Sequence, residues 1–284
     1  MTQPTKHLLN TNSIRMKALR WEGPTGPAPV VLLHGLTSCA ETWSLVAPLL
    51  AGERAVIALD LRGHGETDKP GHGYDQATVA ADVAGALDAL DVTEAGVVGH
   101  SWGGGVALRL AVDYPRLIRR LVLADGGIIN RREGELTPER AEQMLAPIDI
   151  YQTIHTYFAE FRRTLNGYWT PEIEAIALAA IEHNPDGSVR ERLEREHQKL
   201  ILHANWTVDM ASLYARVGCP TMVLPADNLT ASPERREARK LQVAETARLL
   251  PDATVVWVPE SVHDMQLHKP EVVAGHLSRH FAGL

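Results

Sequence analysis

Gly99-His100-Ser101-Trp102-Gly103 is the stretch on which the fold turns. Ahead of it lies Gly96–Val98 (GVV), short and β-branched. Behind it, Trp102–Tyr114 carries apolar residues at helical spacing until Pro115 stops the run. A serine flanked by glycines at a strand-to-helix turn is a nucleophile elbow. Such a turn strains the serine backbone, and the small neighbours leave room for it. The hydroxyl then stands above the sheet edge, while the helix N-terminus behind it offers N–H groups to a developing oxyanion. Gly103-Gly104-Gly105, which opens the helix, argues further against a chance match.

Outward from the elbow the same alternation continues. Val30–Leu33 (VVLL), Ala55–Leu59 (AVIAL), Leu121–Ala124 (LVLA), Thr221–Leu224 (TMVL) and Thr254–Val258 (TVVWV) are short aliphatic runs closed by turn residues. Such runs suit parallel strands covered on both faces. Thr78–Leu90, a segment opening at Ser232-Pro233-Glu234, and Pro270–Phe281 are predicted helices. Strands alternating with helices imply an α/β fold with a mostly parallel sheet.

Between Gly127 and Val217 the strand signal stops. Thr137-Pro138-Glu139 and Thr170-Pro171-Glu172 are predicted helix starts, with Thr as N-cap and Pro at the first helical position. Glu172–Glu182 and Val189–His203 follow as predicted helices. The expected organisation is a core of residues 1–127 and 218–284 with a helical cap, 128–217, inserted over the sheet edge where ligands bind.

Two further elements converge on Ser101. His34-Gly35-Leu36 follows the first clear strand, so Leu36 N–H and Trp102 N–H are the expected oxyanion donors. His263 follows the last strand and falls after the serine, in the order this arrangement requires. The remaining histidines of the thirteen are assigned mainly structural duties, and no His-Glu-x-x-His or similar spacing points to a metal.

Composition excludes several classes. Lys and Arg number 28 against 35 Asp and Glu, a formal charge of −7 that argues against nucleic acid as a partner. Cys39 and Cys219 are too few for a disulfide framework or a zinc site. The polar N-terminus has no secretory pattern, and no apolar run approaches the ~20 residues of a membrane span. The expectation is a cytoplasmic protein without a membrane partner.

HGLTSCAETW (His34–Trp43), DLRGHGETDKP (Asp60–Pro70), GHSWGG (Gly99–Gly104) and VHDMQLHKP (Val262–Pro270) together resemble the α/β-hydrolase superfamily, in particular its cap-bearing esterases, epoxide hydrolases and C–C bond hydrolases. The resemblance implies a twisted eight-stranded, mostly parallel sheet with helices on both faces. The two strands not found above would form an N-terminal hairpin within Ser13–Trp21. Epoxide hydrolases and haloalkane dehalogenases of this group use an aspartate at the elbow, whereas Ser101 favours acyl transfer.

The resemblance also exposes a departure. Relatives commonly carry the acid that orients the histidine in a G-x-x-D pattern after the strand matching Thr221–Leu224, and a direct count puts Leu229 in its place. Asp125, closing Leu121–Ala124, is the preferred acid and Asp227 the alternative. Asp264, adjacent to His263, is least suited.

The expected function is a carboxylesterase or lactonase that needs no cofactor or metal and acts on a small-molecule ester-like substrate. His34, Phe158 and Trp206 are candidate pocket residues. An aminopeptidase or C–C hydrolase on the same scaffold, or a non-catalytic ligand-binding homologue, are the alternatives.

Overall fold

The computed structural model describes residues 3–129, 150–151, 153–206 and 208–284. Eight strands form the main sheet: β1 (Thr5–Thr11), β2 (Ile14–Trp21), β3 (Val30–Leu33), β4 (Val56–Leu59), β5 (Ala95–His100), β6 (Ile118–Ala124), β10 (Thr221–Leu224) and β11 (Ala253–Val255), in the order β1-β2-β4-β3-β5-β6-β10-β11. Only β2 runs against the others. The expected α/β architecture is therefore present, and the N-terminal hairpin starts earlier than Ser13. Its first strand, Thr5–Thr11, alternates exposed and buried positions only weakly, which hid it in the sequence.

Alternation along the strands sorts their side chains into two layers. Val31 and Leu33 of β3, Ile57 and Leu59 of β4, Val97 of β5 and Leu121 and Leu123 of β6 face one apolar layer, under helices Gln76–Asp88, Trp102–Asp113 and Pro233–Leu249. Val30, Leu32, Val56, Ala58, Val98 and Val122 face the other, under helix Pro270–Phe281 and the Ala40–Leu50 turn region. Both sides being apolar is why these strands read as unbroken hydrophobic runs. Truncating one such leucine to alanine costs about 2–5 kcal/mol.

The inserted segment differs from the expectation of helices alone. It contains helices Ile154–Thr164, Pro171–Ala179 and Arg195–Trp206, but also a small antiparallel sheet of β7 (Ile150–Tyr151), β8 (Ile181–His183) and β9 (Val189–Glu191), in the order β7-β9-β8. β8 and β9 are joined by the turn Asn184-Pro185-Asp186-Gly187, closed by Asn184 N–H to Ser188 O at 2.8 Å, with Gly187 at φ 86°. Strands of two or three residues are too short to show alternation, so they merged with the predicted helices on either side. Thr170 does cap its helix, accepting from Ile173 N–H. The Thr137-Pro138-Glu139 start lies outside the described residues.

The segment Lys69–Gln76 of the core touches this insertion at several points. Lys69 Nζ lies 3.3 Å from Glu182 of β8, the Tyr74 and His197 rings stack at 4.8 Å, and Gln76 Nε2 donates to Asn205 Oδ1 at 3.1 Å. Among the described residues, no helix is long and apolar enough to cross a membrane.

Candidate active site

β5 delivers Ser101 at the sheet edge in a conformation few residues adopt, φ 52° and ψ −121°. Strain of this kind costs about 1–3 kcal/mol and persists only where the surroundings enforce it. The surroundings here are backbone. A methyl at Gly99 would collide with the Gly103 carbonyl, and one at Gly126 would collide with the Ser101 backbone itself. Ser101 N–H donates to Ala124 O at 3.1 Å and Gly104 N–H to Ser101 O at 3.0 Å, fixing the turn from both sides.

The loop after β11 brings His263 over this edge. Its Nε2 is 2.9 Å from Ser101 Oγ, and its Nδ1 is 2.6 Å from Asp125 Oδ2. A carboxylate at Nδ1 keeps the proton there and leaves Nε2 as the acceptor for the serine hydroxyl. His100 supports the same loop, since its Nε2–H donates to the His263 carbonyl at 3.0 Å. Of the two candidate acids, Asp125 is the one brought to His263. The Asp227 N–H instead donates to Val258 O and Ser261 Oγ, both at 3.2 Å. Leu229, which a direct count places at the acid's position, is exposed, with its N–H on Ser261 O.

The electrostatics agree with the geometry. Burial pushes the Asp125 carboxyl up, but the His263 hydrogen bond and charge and the Arg239 guanidinium outweigh it and hold Asp125 below the ordinary carboxylate range. For His263, burial acts downward while the Asp125 hydrogen bond and the Asp125 and Asp264 charges act upward. The net is a histidine raised above its ordinary 6.5.

Of the two expected oxyanion donors, Trp102 directly follows Ser101 and Leu36 directly follows Gly35. Trp102 opens helix Trp102–Asp113, so its N–H has no carbonyl a turn earlier within the helix. The Gly35 backbone passes so close that a methyl there would lie 3.0 Å from Ser101 Cβ, which brings the Gly35-Leu36 link alongside the nucleophile. His34 turns out to shape this loop and offers no surface to a substrate. It is wholly buried, its Nε2 accepts from Leu61 N–H at 2.9 Å, and its Nδ1–H donates to Gly35 O at 2.7 Å. Burial pushes it down to about 4, so it stays neutral in that tautomer.

The other two pocket candidates lie in helices of the inserted segment. Phe158 packs inside the inserted segment, its ring 5.4 Å from Trp169 and 6.1 Å from Tyr157. Trp206, the last residue of helix Arg195–Trp206, is 44% exposed. Arg239, which no sequence signal singled out within the charged run Pro233–Lys240, donates to Asp125 Oδ1 at 2.7 Å.

One group of metal-type ligands occurs among the described residues, Cys39, Glu41 and Asp60, with donor atoms within 4.8 Å of one another. A cation of the chain already occupies it. The buried Lys17 ammonium bonds to Glu41 and lies 3.3 Å from Asp60.

An eight-stranded sheet of this order with a serine at the β5 elbow defines the α/β-hydrolase class. A family model described as the alpha/beta hydrolase fold matches residues 28–268, and the chain belongs to that family. It is 32% identical over 206 residues to a soluble epoxide hydrolase of Corynebacterium sp. (strain C12), covering 66% of this chain and 70% of that enzyme. It is 29% identical over 259 residues to 2-(acetamidomethylene)succinate hydrolase of Mesorhizobium japonicum, covering 87% and 86% of the two chains. The crystal structure of E-2-(acetamidomethylene)succinate hydrolase superposes with a TM-score of 0.79 at 24% identity, covering 98% of each chain, which shows the shared fold. Several other curated relatives are matched over only about a third of their own length.

Proposed function

We propose that the chain is a cytoplasmic serine hydrolase that cleaves a small carboxylic ester or lactone through an acyl-enzyme, without a cofactor. The observation that carries this reading is the unbroken Ser101 Oγ–His263 Nε2–His263 Nδ1–Asp125 Oδ2 line, at 2.9 and 2.6 Å. His263 accepts the Ser101 proton as the oxygen attacks the acyl carbon. Leu36 and Trp102 N–H groups receive the oxyanion, one such donor typically contributing about 3–4 kcal/mol. The protonated imidazole then gives its proton to the leaving alkoxide. Asp125 holds the tautomer and offsets the imidazolium charge. Water, deprotonated by the same histidine, attacks the acyl-enzyme and regenerates Ser101.

The soluble epoxide hydrolase likeness does not carry that chemistry here, because the enzymes of that kind in this superfamily use an aspartate where this chain has Ser101. A second reading, C–C bond hydrolysis, has one specific support. The chain is 44% identical over 100 residues to a 2-hydroxymuconate semialdehyde hydrolase of Pseudomonas sp. (strain CF600), covering 34% of this chain and 35% of that enzyme. Serine attack on a carbonyl serves both readings, and the bond broken is what separates them.

The deciding experiment is hydrolysis of p-nitrophenyl esters from acetate to decanoate, with fluorophosphonate labelling and peptide mapping of the adduct. Turnover together with label on Ser101, both abolished in Ser101→Ala, supports the ester reading. Label on Ser101 without cleavage of any of these esters, or of a simple γ-lactone assayed beside them, transfers the weight to C–C substrates. No label and no turnover sinks the hydrolase mechanism altogether.

A further inference from the structure

Asp125 is a buried carboxylate, 5% exposed, with two oxygens to satisfy. His263 takes Oδ2. Oδ1 receives a long hydrogen bond from Ala226 N–H, 3.3 Å, and a short charged one from Arg239 Nη2, 2.7 Å. The same guanidinium nitrogen also donates to the Asp125 main-chain carbonyl at 3.1 Å. That carbonyl belongs to a residue held at φ 44°, in the left-handed region. Arg239 therefore grips the side chain and the strained backbone of one residue together, from helix Pro233–Leu249, the element that follows β10.

Such a clamp does two things at once. It fixes the rotamer of the carboxylate, so that Oδ2 stays aimed at Nδ1. Its positive charge also cancels part of the negative charge that favours an imidazolium, so it acts on His263 in the opposite sense to Asp125. The groups that face His263 are Asp125 and Asp264, which favour the protonated ring, Arg239, which opposes it, Ser101 at 2.9 Å, and the His100 ring at 4.8 Å. Arg239 is the cation in that set.

We propose that Arg239 is a positioning residue of the relay, which locks the Asp125 carboxylate in line with His263 and places a positive charge behind it. The inference rests on the Ser101–His263–Asp125 reading above. Arg239 touches no substrate, and its effect passes through Asp125.

The test follows the rate of Ser101 phosphonylation by a fluorophosphonate as a function of pH, which needs no knowledge of the natural substrate. It compares wild type, Arg239→Gln and Arg239→Lys, each checked for fold by circular dichroism and thermal melting. In Arg239→Gln the plateau rate falls roughly ten- to a hundredfold as the carboxylate loses its fixed orientation. The midpoint of the acid limb moves up by about half a pH unit or more, because a cation that opposed imidazolium formation is gone. Arg239→Lys restores the midpoint to the wild-type value and leaves the plateau below it, since an ammonium returns the charge without the planar guanidinium that fixes the directions of the two Nη2 N–H bonds.

A purely structural arginine would lower the melting temperature and leave the midpoint in place, and that result overturns the inference. Should Arg239→Gln fail to fold, Arg239→Lys still decides, because an undiminished plateau contradicts the clamp. Wild-type protein that takes no label at Ser101 overturns the serine-hydrolase reading and this inference with it. Labelled wild type with an unmoved midpoint in Arg239→Gln overturns this inference alone.

Discussion

At the sheet edge, Ser101 and Asp125 both sit at positive φ, 52° and 44°, and backbone packs against backbone closely enough to exclude a single methyl at Gly99 or Gly126. The inserted segment, expected from the sequence to be a cap, is assembled differently. Its three strands have two or three residues each, its aromatic side chains pack on one another, and Glu182 collects Lys69, Arg190 and Arg192 in partly exposed ion pairs. The edge is over-determined, with each strained residue held by several partners. The inserted segment's own buried apolar clusters are small, and ion pairs that water screens lie beside the apolar contacts, such as Ile173 with Val262 and Leu267, that join it to the core. A catalytic relay tolerates little error in position, whereas a segment outside the relay can be rebuilt without disturbing it. Substitutions at the edge should therefore remove activity in large steps, and substitutions between core and cap should act in small ones.

The largest step is Ser101→Ala. Removing the nucleophile of a serine triad costs on the order of 10⁴- to 10⁶-fold in kcat, with the melting temperature unchanged or raised, because alanine leaves no polar atom to satisfy. Asp125→Asn comes next, with a fall in kcat of about 10³- to 10⁴-fold as the imidazole tautomer is lost. Asp227→Asn stays within a few-fold of wild type, and equal losses in the two variants would contradict the assignment of Asp125. The pH profile sharpens the same comparison. His263 works as the neutral base and is raised above 6.5 mainly against burial by Asp125. Wild-type kcat/KM therefore falls as pH drops through a value above 6.5. In Asp125→Asn the residual activity has its acid limb displaced to lower pH, which stopped-flow rates across pH 5–9 can resolve.

Gly126→Ala tests whether the edge is held by close backbone approach. The added methyl meets Ser101 main-chain atoms that cannot yield without moving the nucleophile. Overpacking of this sort costs about 1–3 kcal/mol of stability, and kcat falls at least a hundredfold because Ser101 is displaced from His263. Denaturant melts and the ester assay read the two effects separately. Wild-type kcat with lowered stability would mean that the elbow is more compliant than its contacts imply.

What could be read in the sequence divides along the same boundary. The β5–Ser101–helix unit was legible because its steric demands are local, and Gly99, Ser101 and Gly103 stand within five residues. His263 was legible from its place after the last strand. The choice between Asp125 and Asp227 stayed open, because it depends on where a loop between β10 and helix Pro233–Leu249 goes, and no pattern of residue types fixes that. Arg239 was invisible for a plainer reason, as one of several charges in PERREARK, where only the fold shows which arginine turns inward. His34 was misread as a pocket residue because a histidine beside the oxyanion loop looks the same in sequence whether it faces substrate or the Leu61 N–H. In the cap, β8 and β9 are too short to carry a period, and Phe158 is as consistent with a cap core as with a pocket wall.

The smallest predicted effect lies in the junction itself. Lys69 reaches across from the core to Glu182, but Glu182 also holds Arg190 at 2.9 Å and Arg192 at 3.3 Å. In Lys69→Ala the carboxylate is thus left with two partners, and no charge is stranded. Ion pairs between partly exposed groups contribute about 0.2–1 kcal/mol, so the melting temperature should fall by only about 1–3 °C. The difference should shrink in 0.5 M salt, where screening of partly exposed charges is stronger. Tyr74 stacked on His197 is the sturdier contact, since its apolar area is not screened, and Tyr74→Ala should cost more than Lys69→Ala at every salt concentration. If Lys69→Ala instead shifts the preferred ester chain length, or lowers kcat/KM more than about threefold, that ion pair matters to the site beyond its small share of stability. The division between an over-determined edge and a more tolerant inserted segment would then fail at the point where the two regions meet.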